Sequence, residues 1–282
     1  MRRARPPRLS GIIPRMSREL HSAISLHDVS KVYRPPRKRP YLAIEKIDLE
    51  VGTGRFVSVV GPSGCGKSTL LGLVSGLLEP TTGQVVLNGS PVAAVRTDVG
   101  FIFQRDALLP WRTVRENVAL PLRFRGRSDD ARVREWIVRV GLAGFIDNYP
   151  HELSGGMRKR AQLAQSLVAD PAVLLMDEPF SALDVQTRNL MENELLNLWG
   201  AAAKTVLFIT HDLEEAIALS DEIVVMTAGP GTIKARYKVD LPRPRNVSEI
   251  RFAPQFVALY ERAWADLRDE VARSYAQSLK AG

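Results

Sequence analysis

Apolar and β-branched residues alternate or run together over 24–33 and 44–60, the pattern of strands. Phe56-Val57-Ser58-Val59-Val60 reads as a short buried strand running into a Gly-rich turn, and Leu70 to Leu78 as the apolar helix that follows. Gln84 to Leu87 followed by Asn88-Gly89 predicts a strand and a tight turn, and Val99 to Phe103 another strand. From Thr113 to Leu142 the period changes. Val133, Trp136, Ile137 and Val140 share one face at the i, i+3, i+4, i+7 spacing of a helix. Strand signals return at Val173–Met176, Thr205–Thr210 and Ile223–Thr227, with helical segments between them. This alternation predicts an α/β fold with a mainly parallel sheet covered by helices. The helical block at 105–160 interrupts it as an inserted subdomain. Pro242-Arg243-Pro244 marks a boundary, and 251–280 reads as a helical tail.

With 282 residues and 45% apolar content, the chain suits one large domain or one domain with appendages. No apolar run approaches the 18 or so residues of a membrane span, and Leu70 to Leu78 is broken by two Gly and a Ser. The N-terminal stretch is Arg-rich but lacks an apolar core, so a secretory signal is not expected. One cysteine excludes an internal disulfide and fits a reducing compartment. The net charge of +8 is confined to one end: residues 1–40 hold 11 Lys/Arg and 2 Asp/Glu, and the remainder 28 and 29. Residues 1–21 are therefore expected to be a basic, disordered arm able to meet anionic lipid or nucleic acid, with Met16 an alternative start.

Gly61-Pro62-Ser63-Gly64-Cys65-Gly66-Lys67-Ser68-Thr69 fits G-x-x-x-x-G-K-[ST] between a strand and a helix. Its glycines let successive N–H groups face phosphate oxygens, and the helix N-terminus adds its positive end. Lys67 is expected to reach the β- and γ-phosphates and Ser68 to hold Mg²⁺. The helix end and Lys67 also favour a thiolate at Cys65, predicting a reactive sulfur, with a small side chain tucked under the loop and shielded as the alternative. Val173 to Met176 leads into Asp177 and Glu178. A strand tip beside the phosphate loop places Asp177 near the metal. Adjacent strand residues point opposite ways, so the chain must turn after Asp177 for Glu178 to polarise an attacking water. Pro179 is consistent with such a turn.

A second anion-binding helix end appears at Leu153-Ser154-Gly155-Gly156-Met157, where Ser154 is a good N-cap and the glycines leave N–H groups uncovered. Two such ends on one chain suggest that each ATP is gripped by both, in a head-to-tail dimer of two copies. Over residues 22–245 these motifs, in this order, resemble ABC-transporter ATPase subunits. The resemblance implies a P-loop NTPase (RecA-like) core with an antiparallel β subdomain and an inserted α-helical subdomain; residues 246–282, beyond it, are the helical tail expected from their own pattern. It implies that Tyr33, with Tyr41 as the alternative, stacks on adenine. It makes Gln104 the metal- and water-contacting glutamine and His211 the switch histidine on the γ-phosphate. Ser154, Gly155 and Gly156 become the signature on the partner's ATP, and Ser181-Ala182-Leu183-Asp184 the loop joining the two sites. Met157, where glutamine is commoner, and Gln165-Ser166, where Arg-Ala is, depart from the pattern without removing a backbone donor.

Phe103-Gln104-Arg105-Asp106-Ala107-Leu108-Leu109-Pro110-Trp111, Thr113-Val114-Arg115-Glu116-Asn117-Val118 and Ala228-Gly229-Pro230-Gly231 resemble the nitrate/sulfonate/taurine importer group. The expectation is an ATP-hydrolysing motor on the cytoplasmic face of a membrane. It would serve transmembrane permease subunits and a solute-binding protein, with Leu108–Trp111 either at the docking surface for a permease helix or in ordinary core packing. A soluble relative acting on DNA or ribosomes would carry a long coiled-coil insertion or two cassettes. Neither is present, and the near-neutral body argues against nucleic acid.

Overall fold

The computed structural model describes residues 22–281 apart from 37, 38, 106, 182 and 203. The basic arm and Met16 lie outside the described residues, as do Arg37, Lys38, Asp106 and Ala182. Among the described residues the strands form two sheets. The first has four strands, β1 (Ser22–Tyr33), β2 (Tyr41–Gly52), β4 (Thr82–Leu87) and β5 (Ser90–Pro91), antiparallel in the order β2-β1-β4-β5. The second has β3 (Phe56–Val60), β6 (Val99–Ile102), β7 (Val173–Asp177), β8 (Thr205–Thr210), β9 (Glu222–Met226) and β10 (Ile233–Lys238), in the order β10-β9-β3-β8-β7-β6. All its pairings are parallel except that of β10, an antiparallel edge strand.

The apolar stretch over 44–60 does not continue through one sheet. It breaks at Gly54, whose φ of 73° lets the chain turn, and so supplies β2 to one sheet and β3 to the other. The helix after the phosphate loop, α1 (Lys67–Val74), stops short of the Leu78 expected from its apolar run. Gly76 takes φ 76°, where an added Cβ would lie 2.2 Å from the Ala94 carbonyl oxygen. β10 is not among the expected strands, although Ile-Lys-Ala-Arg-Tyr-Lys alternates with period two.

Each central strand is buried on both faces, which is why it reads as a continuous apolar run. Phe56, Val60, Leu174, Met176, Val206 and Phe208 pack against α5 (Val185–Ala202), α6 (Leu213–Leu219) and α8 (Pro254–Ala281). Val57, Val59, Val173, Leu175, Leu207 and Ile209 pack against α1 and the first sheet. A third core lies within the inserted helices α2 (Val114–Phe124), α3 (Asp130–Arg139) and α4 (Gly155–Val168), and contains Val133, Ile137 and Val140. Thr113 and Glu116 close a capping box on α2. The Leu108–Trp111 cluster divides: Leu108 is buried in this third core, while Trp111 is 69% exposed.

After a short helix, α7 (Val247–Ile250), the chain ends in the long α8. Phe256, Leu259 and Leu267 are buried against the sheet side. At roughly 1.5–3 kcal/mol for each buried large side chain, they dock α8 firmly on the body.

Glu192 of α5 is fully buried and Glu215 of α6 nearly so, and the two carboxyls neighbour each other, which disfavours ionising both. Arg251 Nη2 lies 3.5 Å from Glu192, the Thr210 hydroxyl bonds Glu215, and Asp212 and Arg188 stand nearby. Burial is the main cause that pushes Glu192 up to about 7 and Glu215 well above the usual carboxylate range. In the unfolded chain both titrate near ~4.3. Between these values the folded state binds more protons than the unfolded one, so this pair's contribution to stability falls as pH rises through that window. Thermal unfolding of the wild type should therefore show a loss, on the order of 1–3 kcal/mol, between about pH 5 and about pH 7.5 that is smaller in Glu192→Gln, which keeps only the titration of Glu215. Equal pH slopes for the two proteins would contradict this.

Candidate ATP site

Strand register brings the site together. Val60 of β3 lies opposite Thr210 of β8, and Asp177 of β7 opposite Ile209. The residues immediately after these tips are Gly61, His211 and Glu178. Gly66 caps α1 in the left-handed region at φ 98°, where an added Cβ would lie 2.9 Å from both the Ala43 carbonyl oxygen and Ile44. No larger residue fits that turn.

A recess of about 570 Å³ is lined by Tyr33, Tyr41, Ser63, Gly64, Gly66, Lys67, Ser68, Thr69, Gln104, Glu178 and His211. Its volume suits a small-molecule ligand of nucleotide size. Lys67 is mostly buried, and its Nζ donates to the carbonyls of Gly61 (2.8 Å) and Pro62 (3.0 Å), which back the recess. Tyr33 and Tyr41 stack on each other with ring centroids 5.3 Å apart, and the Tyr33 hydroxyl lies 3.3 Å from Thr69 Oγ1. Both alternatives for the aromatic wall thus stand in one place, with Tyr41 the more exposed.

The turn required after Asp177 is made by Glu178 itself, at φ 43° before Pro179. A non-glycine residue there carries local strain. One oxygen of Glu178, Oε2, is met by Gln104 Nε2 and by His211 Nδ1, each at 3.1 Å. Asp177 receives the Ser68 hydroxyl. Burial is the main cause that raises the Asp177 carboxyl above its ordinary value, and the neighbouring Glu178 adds to it. A hard divalent cation bound by one or two protein oxygens fits this donor set, because it would stabilise the carboxylate that burial penalises.

Ser154, Gly155, Gly156 and Asp184 line a separate recess of about 890 Å³ that does not include Lys67. Ser154 caps α4 by accepting from Met157 N at 3.3 Å. Two further groups position the site without belonging to any of its motifs. Lys159 of α4 is buried and donates to the carbonyls of Gln104 (2.6 Å) and Phe103 (3.2 Å), fixing the backbone that carries Gln104. Arg188 donates to the Leu183 carbonyl at 3.2 Å and pairs with Asp212 at 3.3 Å, tying the 181–184 loop to the neighbour of His211. Their only sequence signal is a cation shortly after each motif, which also suits a solvated helix face.

The ABC transporter family profile matches residues 44–181. The chain is 47% identical over 235 residues to an uncharacterised ABC transporter ATP-binding protein of Methanocaldococcus jannaschii, covering 82% of this chain and 86% of that one. It is 43% identical over 229 residues to the aliphatic sulfonates import ATP-binding protein SsuB of Bacillus thuringiensis, covering 81% and 91%. It also resembles a solved ATP-binding cassette, a dimer in a post-hydrolysis state bound to ADP and Pi. That likeness has a TM-score of 0.69 and 31% identity, covering 78% of this chain and 100% of that one.

Cys65 corrects the expectation of a reactive thiolate. Its side chain is 1% exposed, turned under the loop among Val57, Val59 and Met226. Burial raises its pKa and outweighs the opposing charge of Lys67, whose Nζ lies 3.9 Å from the sulfur. The helix end governs the loop's N–H groups, while desolvation governs this thiol. A maleimide should label Cys65 at least about tenfold more slowly in the folded protein than in urea, since thiolate fraction and access both set the rate. Equal rates would restore the reactive cysteine.

Proposed function

The chain belongs to the ABC transporter ATP-binding proteins and is an ATPase, and on that premise we propose that two copies form the motor of an importer for a small solute of the nitrate, sulfonate or taurine kind. The observation that carries the ATPase mechanism is the convergence of Lys67, Ser68, Gln104, Glu178 and His211 on one recess. The amides of residues 61–69 and the Lys67 ammonium bind the phosphates, and Tyr33 or Tyr41 covers the adenine. Glu178 polarises the attacking water, its carboxylate oriented by Gln104 and His211. His211 also faces the γ-phosphate. Ser68, Gln104 and Asp177 would hold Mg²⁺, which supplies positive charge against the phosphate oxygens.

Ser154, Gly155, Gly156 and Asp184 close on the ATP of the other copy, so each ATP is held by both chains. The separation of the two recesses on one chain and the dimeric state of the solved cassette support this reading. No helix among the described residues is long and apolar enough to cross a membrane, so translocation falls to transmembrane permease subunits. These hold the chain at the cytoplasmic face, with exposed Trp111 in the docking surface, and a solute-binding protein delivers the solute. The sulfonate importer relative supports the solute class.

Glu178→Gln should lower ATP turnover by about 10²–10⁴-fold while leaving nucleotide binding intact. It should elute as a dimer with ATP and as a monomer without it. Near-normal hydrolysis would remove Glu178 from the mechanism, and a monomer in both conditions would count against the shared site. For the transport role, deleting the gene should abolish uptake of one radiolabelled solute among nitrate, an alkanesulfonate and taurine. Wild type should restore that uptake and Lys67→Ala should not. Unchanged uptake of all three would exclude the proposed solute class.

A further inference from the structure

The last helix of the chain reaches the phosphate loop. Beyond the buried Leu267, α8 is held by Glu270, whose Oε2 accepts from the Ala228 backbone N–H at 2.9 Å. Its Oε1 pairs with Lys234 at 3.0 Å and Arg273 at 2.9 Å. One helical turn further on, the Ser274 hydroxyl donates to the Ser63 carbonyl at 3.3 Å, and Gln277 Nε2 donates to the Gly229 carbonyl at 3.2 Å. The turn that Gly229 opens runs beneath the phosphate loop: Gly231 N donates to Ala43 O at 2.9 Å, and a Cβ on Gly231 would lie 2.0 Å from the Cys65 carbonyl oxygen. So α8 touches the loop at Ser63 directly and braces the turn that supports it from below.

The Ser63 carbonyl belongs to the same planar trans peptide as the Gly64 N–H, and the two point in opposite directions. Gly64 sits at φ 78° with nothing within 4 Å of an added Cβ, so it brings no side chain of its own to restrain that peptide. A hydroxyl fixing the carbonyl outward leaves the N–H facing the recess that Gly64 lines. We propose that Ser274, carried on α8 and anchored by Glu270, is a positioning residue for nucleotide: it orients the Ser63–Gly64 peptide toward the phosphates and thereby sets affinity for ADP and ATP without entering the hydrolytic step. The inference rests on the phosphate loop being the nucleotide site.

The test uses the full-length chain, with Mg-ADP binding by titration calorimetry, ATPase kinetics and thermal unfolding measured together. Ser274→Ala should weaken ADP binding by about two- to tenfold, the range of one net hydrogen bond, and raise KM for ATP in step. The rate at saturating ATP and the Tm should stay at the wild-type values, and Ser274→Thr, which keeps the hydroxyl, should restore affinity. Lys67→Ala serves as the reference and should abolish binding. Undiminished ADP binding by Lys67→Ala would overturn the nucleotide site and this inference with it. Loss of binding there together with wild-type affinity in Ser274→Ala would overturn the role of α8 alone. An affinity loss accompanied by a lowered Tm and not restored by threonine would assign Ser274 to helix packing, and would also overturn it.

Discussion

The left-handed backbone of Glu178 is the constraint on which the rest of the site depends. β7 delivers two consecutive acids at the C-terminal end of an interior strand of the parallel sheet, and strand geometry alone would send them to opposite faces. At φ 43° the chain turns instead, and Glu178 N bonds the Ile209 carbonyl at 2.9 Å, anchoring the turn to β8. Asp177 can then meet Ser68 while Glu178 meets Gln104 and His211. The strain of that conformation is offset by the buried parallel strands on either side, which leave the backbone little freedom.

Electrostatics at the site follow from how deeply each group is buried rather than from its neighbours in sequence. Lys67 is buried but spread over two carbonyls, so its charge is solvated by the loop itself. Cys65, two residues earlier, faces Lys67 only at 3.9 Å, and burial outweighs that contact and pushes its thiol up. Asp177 lies between these cases: buried, bonded by Ser68, and pressed by Glu178. The phosphate loop and the tip of β7 therefore bring together a stabilised cation, an inert thiol and a carboxyl poised for a cation, distinguished by burial and by their different access to hydrogen-bond partners.

The surroundings of the site are held by groups from distant parts of the chain. Lys159 fixes the backbone at Gln104, Arg188 links the 181–184 loop to Asp212, and α8 reaches Ser63. Each is a side chain donating to a backbone carbonyl, an interaction that orients a peptide without contributing an atom to the reaction. Rigid elements that meet the loops from outside in this way keep a functional geometry in place.

What the sequence alone determined was local. Strand-to-helix context around Gly61–Thr69, the Asp177-Glu178 strand tip, the Ser154 cap and the period change at Thr113 are set by backbone conformations that Gly, Pro, Ser and apolar spacing specify within a few residues. The division into a parallel sheet and a helical insert followed from the same signals. Tertiary structure decided what burial and long-range donors control: the inert state of Cys65, the split of Leu108 from Trp111, and the break of 44–60 into two sheets. It also decided the pairing of Glu192 with Glu215 and the reach of α8 to Ser63. Those outcomes depend on which surfaces meet and how much water they exclude. Residues far apart in the chain settle that only once they are packed together.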